Sequence, residues 1–301
     1  MERSPYARRK HNKFMRFACT CCKLPHARLI ALLGDGDPMK RKVAVRNLQI
    51  RKSKAVLRDA MKLCRNADPV LREGAALVLG QVEFPDNEAG QKTHKRVMAL
   101  LLELALYDPQ AKVRDGALTA MGHRASRGGD HAPVLRAAEQ GSRDKSCHVR
   151  FSAACTLGYI NLPGAEIALL RLLRDKDRDV RDWAAFAVYN AGDEEAIVYD
   201  TPAIREALLE LAVDPGWEIR YEAFRALGVL REKRAAPLLA HEIMRQDDFI
   251  YYEMAKAAGR MGDPALIPLL EKALERFGDD TDLLTGEDII QSALDALRQL
   301  P

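Results

Sequence analysis

The sequence predicts an all-α protein, a right-handed solenoid of about seven stacked helix pairs. Three observations predict it. A block of residues returns every 31 to 42 positions, amphipathic stretches fill the intervals, and the alternating Val/Ile/Thr pattern of a half-buried strand is missing throughout.

The returning block is clearest when arginines set the register. Val-Leu-Arg72-Glu-Gly-Ala75, Val113-Arg114-Asp-Gly-Ala117, Val149-Arg150-Phe-Ser-Ala153, Val180-Arg181-Asp-Trp-Ala184 and Ile219-Arg220-Tyr-Glu-Ala223 fit one template. An aspartate lies four or six residues ahead of each arginine, as Asp68, Asp108, Asp144, Asp175 and Asp214. A glycine lies eight residues behind most of them, as Gly80, Gly122, Gly158 and Gly228, while the fourth block has Tyr189 in that slot. The template extends outward to Arg41 with Ala44 and to Tyr251 with Gly259.

Each block opens a helix. Asp-Pro supplies an N-cap acceptor followed by a residue whose missing N–H costs nothing in the first turn. The alanines three residues past each arginine and the later glycines let that helix pack closely on its neighbours. A second helix then brings the large aliphatic residues, as in residues 165–173, 204–211 and 266–274, where apolar positions recur at three and four. A single pair of this size cannot bury its apolar stripe, so stacked pairs share a core. The division is then a basic N-terminal segment with a capping helix over residues 1–34, the repeat array over 35–278 and a C-terminal capping helix over 279–301, its helix running near 287–300.

Bulk properties narrow the function classes. No apolar run reaches the length of a membrane span, since the stretch from Val97 to Tyr107 is short and carries Glu103. The N-terminus has basic residues but no continuous apolar segment of a signal peptide, so a cytoplasmic location and reduced cysteines are expected, with Cys64 and Cys155 read as small core residues. Charge is strongly uneven: residues 1–58 hold 16 Lys and Arg against 3 Asp and Glu, a net +13, leaving −9 on the rest. That asymmetry bears on partners.

The repeat resembles HEAT repeats, in the short variety named after phycobilisome lyases, over roughly residues 35–278. More narrowly, Leu33-Gly-Asp-Gly-Asp37-Pro-Met-Lys-Arg-Lys-Val-Ala-Val-Arg-Asn-Leu-Gln-Ile-Arg51 and Asp179-Val-Arg-Asp-Trp-Ala-Ala-Phe-Ala187 are similar to the YibA-like group of bacterial HEAT proteins, which are encoded near Rhs-type polymorphic toxins. The resemblance implies an immunity protein that binds and neutralises a toxin domain. It also implies that Arg72, Arg114, Arg150, Arg181 and Arg220 form a structural ladder with the aspartates of adjacent units, the alternative being a row of anion-binding guanidiniums.

Breaks in the repeat point to the partner surface. Trp183 takes a slot held by Gly74, Gly116, Ser152 and Glu222 in other units; Phe151, Tyr221 and Tyr252 follow the anchor where Glu73, Asp115 and Asp182 stand elsewhere; Trp217 replaces Pro69. With Tyr251 these are the expected partner-binding residues, because large amphipathic side chains dominate binding hot spots, whereas the alternative reading has them cover seams between units. Cys19, Cys21, Cys22 and His26 are the nearest approach to a metal-ligand set, but adjacent Cys21 and Cys22 do not make a zinc knuckle, and neither metal nor cofactor is expected. The basic residues of 8–16, 40–42 and 51–54 read first as a solvated polar cap and second as a site for nucleic acid or an acidic protein face, the alternative function being a nucleic-acid-binding protein of DNA-glycosylase type. Phosphate loops, nucleophile elbows and metalloprotease motifs are missing, so no enzyme activity is expected, the alternative being a bilin-lyase-like or DNA-glycosylase-like one, and the protein is expected to be a monomer.

Overall fold

The computed structural model describes residues 23–51, 53–128, 130–160, 164–189, 199–245, 250–277 and 286–299. Among them every regular element is helical, and the chain divides into two compact units, Met1–Thr156 and Leu157–Pro301. Unit 1 holds α1 (His26–Leu32), α2 (Pro38–Gln49), α3 (Lys54–Leu63), α4 (Pro69–Gln81), α5 (Glu88–Tyr107), α6 (Ala111–Ala125), α7 (Ala132–Gly141) and most of α8 (Cys147–Tyr159). Unit 2 holds α9 (Glu166–Leu173), α10 (Arg178–Val188), α11 (Pro202–Leu211), α12 (Trp217–Val229), α13 (Ala236–Arg245), α14 (Ile250–Met261), α15 (Ile267–Phe277) and α16 (Gly286–Arg298). The all-α solenoid class read from the repeat is the class observed.

Within each unit the helices form two rows. In unit 1 the arginine-bearing helices α2, α4 and α6 pack in succession, with α1, α3 and α5 against them and α7 against α5 and α6. In unit 2 the succession is α10, α12, α14 and α16, backed by α9, α11, α13 and α15. The aliphatic row is amphipathic, and its inward side chains, such as Val56, Leu101, Leu169, Leu208, Leu239 and Leu270, are fully or almost fully enclosed. The last helix, α16, continues the arginine-bearing row: Ile290, Leu294 and Leu297 are buried and it lies on α14 and α15.

The helix starts divide the aspartates into two kinds that the sequence pattern had merged. Asp37 and Asp68, four residues ahead of their arginines, are N-caps whose carboxylates accept from Met39 and Val70 amides, with Pro38 and Pro69 in the first turn. Asp108, Asp144, Asp175 and Asp214, six residues ahead, stand before the cap itself. Each accepts from the amide two residues on, of Gln110, Ser146, Asp177 and Gly216. The Asp-Pro pairs at 108 and 214 therefore do not open helices; α6 and α12 begin at Ala111 and Trp217, and Asp108 closes α5 instead.

These second aspartates receive the arginines. Arg72 Nε and Nη2 donate to Asp108 at 2.7 and 3.0 Å, Arg114 donates to Asp144 at 2.7 and 2.9 Å, and Arg181 Nε donates to Asp214 at 2.9 Å. Nη1 of each arginine also donates to the carbonyls six and five residues behind it, in Arg41, Arg72, Arg114, Arg150, Arg181 and Arg220 alike. The guanidinium thus pins its own turn and hands its remaining donors to the following repeat. Two positions vary: Asn66, which accepts from the Asp68 amide, stands where the later repeats have aspartate, and Arg220 pairs with buried Glu242 of α13 at 2.8 Å. Burial raises the Asp144 carboxyl, but Arg114, the Ser146 amide and Arg150 outweigh it and hold the group below its ordinary value.

Candidate functional site

Several departures from the repeat gather on the arginine-bearing row of unit 2. In five other blocks a glycine sits eight residues past the anchor, and at Gly80, Gly228 and Gly259 it lets consecutive helices touch backbone to backbone. The α10 helix has Tyr189 there instead, and it ends one residue earlier, at Val188, with Tyr189 in an extended conformation at φ −115° and ψ 132°. The released ring turns inward and is 3% exposed.

Tyr189 closes a run of aromatic contacts. Tyr159 and Trp183 have ring centroids 6.2 Å apart, Trp183 and Phe186 5.3 Å, and Phe186 and Tyr189 5.7 Å, the last two pairs edge to face. From α12, the Arg225 guanidinium lies 4.8 Å from the Tyr189 ring centre and 5.2 Å from that of Tyr221. The Tyr189 hydroxyl donates to Glu222, and Arg225 stands 3.6 Å from Glu222 and 3.9 Å from Glu253 of α14. At one end of the run Tyr159 is 49% exposed.

The electrostatics of this face are dominated by half-buried carboxylates. Burial pushes Asp182 up to about 6, with Glu218 and Asp179 pushing the same way and Arg178 opposing them. Arg178 is already held by Glu218 at 2.8 Å, and Asp182 Oδ1 is enclosed without a hydrogen-bond partner. Burial also raises Glu222 and the Tyr189 hydroxyl. Arg225 ends above its ordinary value, because Tyr189, Glu222, Tyr221 and Glu253 outweigh the lowering effect of burial.

Unit 1 carries carboxylates in matching slots. Glu73 and Asp115, one residue past Arg72 and Arg114, are both raised by burial. Lys112 and Arg41 oppose that effect on Glu73, and at Asp115 the neighbour is a hydroxyl: Ser152 donates to it and lies 3.1 Å from Thr119.

Of the residues picked from the sequence, Trp183 and Tyr221 belong to the unit 2 face. Trp217 is the first residue of α12 and is 47% exposed, and among the described residues no ring contact joins it to the others. Phe151 is a half-buried residue of α8 in unit 1. Tyr251 and Tyr252 lie in the first turn of α14, and their side chains are outside the described residues. Cys19, Cys21 and Cys22 also lie outside them, whereas His26 Nε2 is 2.7 Å from Asp59 Oδ2. Sequence reasoning missed Tyr159, Phe186, Arg225 and the carboxylate of Asp182; the one available signal was Tyr189 in a glycine slot.

Elsewhere the polar chemistry is committed to structure. Arg124 is 2% exposed; its Nε donates to Leu79 O at 2.7 Å, its Nη2 to Val82 O, and its guanidinium stacks 3.9 Å from the Phe84 ring centre. It thereby satisfies carbonyls at the C-terminal end of α4, and burial pushes its pKa down to about 9. Cys64 is buried and Cys155 half-buried, and burial pushes both thiols up to about 12. Among the described residues no three His, Cys, Asp or Glu side chains group as metal ligands, and no helix is long and apolar enough to cross a membrane.

Comparison with known proteins agrees with this architecture. A family model described as HEAT repeats matches residues 98–189. Protein YibA of Escherichia coli strain K12 is 30% identical over 295 residues, spanning 98% of this chain and 98% of its own. The crystal structure of the E. coli YibA protein matches with a TM-score of 0.80, covering 95% of this chain and 97% of that one at 30% identity. A crystal structure of an engineered protein, 22% identical, reaches a TM-score of 0.55 over 91% of this chain and 78% of its own, a likeness of fold alone. With its arginine–aspartate rungs, its paired helices and this end-to-end similarity, the chain belongs to the YibA family of HEAT-repeat proteins.

Proposed function

We propose that this protein is a non-catalytic, cytoplasmic binding scaffold, and specifically an immunity protein that captures and neutralises a cognate polymorphic toxin of the Rhs type. The observation that carries the binding role is the unit 2 face, where Trp183 takes a slot held by Gly74, Gly116, Ser152 and Glu222 in other units and contacts the half-exposed ring of Tyr159. A scaffold that needed only to stack would keep that slot small or polar. Rings flanked by Arg225 and half-buried carboxylates combine large contact area with polar handles, the composition of binding hot spots. The toxin-specific part of the reading rests on kinship with the YibA-like group.

The test is affinity purification of the tagged protein from its native cells, with mass spectrometry of what is retained. A single toxin-like polypeptide in stoichiometric amount is the expected result. Trp183→Ala is expected to weaken that complex by about 2 kcal/mol or more, and Trp217→Ala by less, because Trp217 stands apart from the ring run. Retention of nucleic acid alone would favour the basic first 58 residues as the working surface. Equal affinity of wild type and Trp183→Ala would refute the placement on unit 2.

A further inference from the structure

The face assigned above to a partner is acidic as well as aromatic, and its carboxylates narrow what can sit on it. Asp179 and Asp182 of α10, Glu218 and Glu222 of α12 and Glu253 of α14 lie within electrostatic reach of one another, and Glu222 accepts from the Tyr189 hydroxyl. Two cations stand among them: Arg178 is held by Glu218 at 2.8 Å, and Arg225 lies over Tyr189 and Tyr221, 3.6 Å from Glu222 and 3.9 Å from Glu253, with its Nε enclosed and, among the described residues, without a hydrogen-bond partner. Asp182 differs from its neighbours. Its side chain is half-buried, Oδ1 is shut off from solvent, and among the described residues Oδ1 receives no hydrogen bond and Arg178 is the cation that lowers the group.

A carboxylate taken partly out of water without a matching donor destabilises the fold that contains it. Such a cost persists where a ligand supplies the missing charge. The next residue, Trp183, begins the run of rings. An arginine or lysine side chain meets both demands at once, since it donates to the carboxylate and lies favourably over an indole face. An anionic chain would instead meet the repulsion of the whole acidic set.

We infer that the Trp183 face of unit 2 receives a cationic segment of the partner protein, with an arginine or lysine side chain lodged against Trp183 and paired with Asp182. The inference rests on the protein-binding reading above and adds the chemical class of what is bound.

The chain has two tryptophans, so Trp217→Phe leaves Trp183 as the sole indole reporter. Titration of that full-length variant at low ionic strength with octa-arginine is expected to give a saturable change in Trp183 emission, and titration with octa-glutamate none. Asp182→Asn, added to it, is expected to weaken octa-arginine binding at least tenfold. Glu103→Gln, which removes an exposed carboxylate from α5, serves as the one-charge control and is expected to leave binding unchanged. No emission change, or equal effects of Asp182→Asn and Glu103→Gln, would overturn the inference. A polypeptide captured from cells whose affinity is lowered by Trp183→Ala but not by Asp182→Asn would also overturn it while leaving the scaffold reading in place. Specific octa-arginine binding with no polypeptide captured would uphold the cation site and count against the toxin-immunity reading.

Discussion

At the scale of single residues, Asp182 links stability to binding. Burial, then Glu218 and Asp179, raise its carboxyl to about 6 from an ordinary 3.8, and Arg178 opposes them. A folded-state value above the unfolded one means that the folded chain holds the proton more tightly. At pH 7 the ionised group therefore subtracts stability, and the subtraction fades as pH falls through about 6 toward 3.8. A shift of this size corresponds to a few kcal/mol at most, and partial solvent contact brings the expected effect to about 1–2 kcal/mol. Asp182→Asn is accordingly expected to melt a few degrees above wild type at pH 7.5, with the advantage shrinking by more than half at pH 4.5, as followed by circular dichroism. The comparison must be between the two chains at each pH. Glu73, Asp115 and Glu222 shift in the same direction as Asp182, whereas Asp35, Asp59 and Asp144 lie below their ordinary values and lose stability on acidification. Equal melting of wild type and Asp182→Asn at pH 7.5 would mean that Asp182 is as well solvated folded as unfolded.

At the scale of elements, the glycine eight residues past an anchor arginine, where one is present, sets how closely helices of one row approach. A Cβ on Gly228 would stand 2.8 Å from Ala257 O and 3.0 Å from its Cα, and one on Gly80 2.8 Å from Ala120 Cα. Those are backbone atoms, so the helices themselves would have to separate. Gly116 is different, since a Cβ there meets the Glu73 side chain at 3.3 Å, and that chain can turn aside. Alanine is the better helix former by about 1 kcal/mol. Gly116→Ala is thus expected to be neutral or mildly stabilising, and Gly228→Ala to cost about 1–3 kcal/mol despite its propensity, as read from denaturant midpoints. The glycine slots, the anchor arginines and the helix pairing were legible in the sequence because they repeat in a fixed register. The two aspartate positions were not separated, because four and six residues ahead look alike until the loop geometry shows which one caps. Tyr189 was visible as a break in the pattern, but not that α10 would stop short and bury the ring between Phe186 and Arg225. The contact of Tyr159 with Trp183, and the enclosure of Asp182, depend on which faces of successive helices meet, and loops of unequal length set that.

At the scale of the whole molecule, the division of charge predicts two separable electrostatic behaviours. Residues 1–58 carry +13 and the rest −9, and the face around Trp183 belongs to the acidic part. A basic protein segment approaching that face is drawn by long-range attraction, which salt screens over about 8–10 Å near physiological strength. Association should then slow about tenfold or more between 0.05 and 0.5 M salt, while dissociation, governed by desolvated contacts such as those at Trp183, changes little. Heparin, a polyanion, would be repelled from the same face and compete only for the basic residues. Surface plasmon resonance of the captured partner over immobilised protein, with and without heparin, separates these cases. A salt-dependent on-rate that heparin leaves intact places the partner on the acidic face. An on-rate abolished by heparin would move it to residues 1–58, where nucleic acid becomes the natural ligand and binding falls as a power of salt concentration.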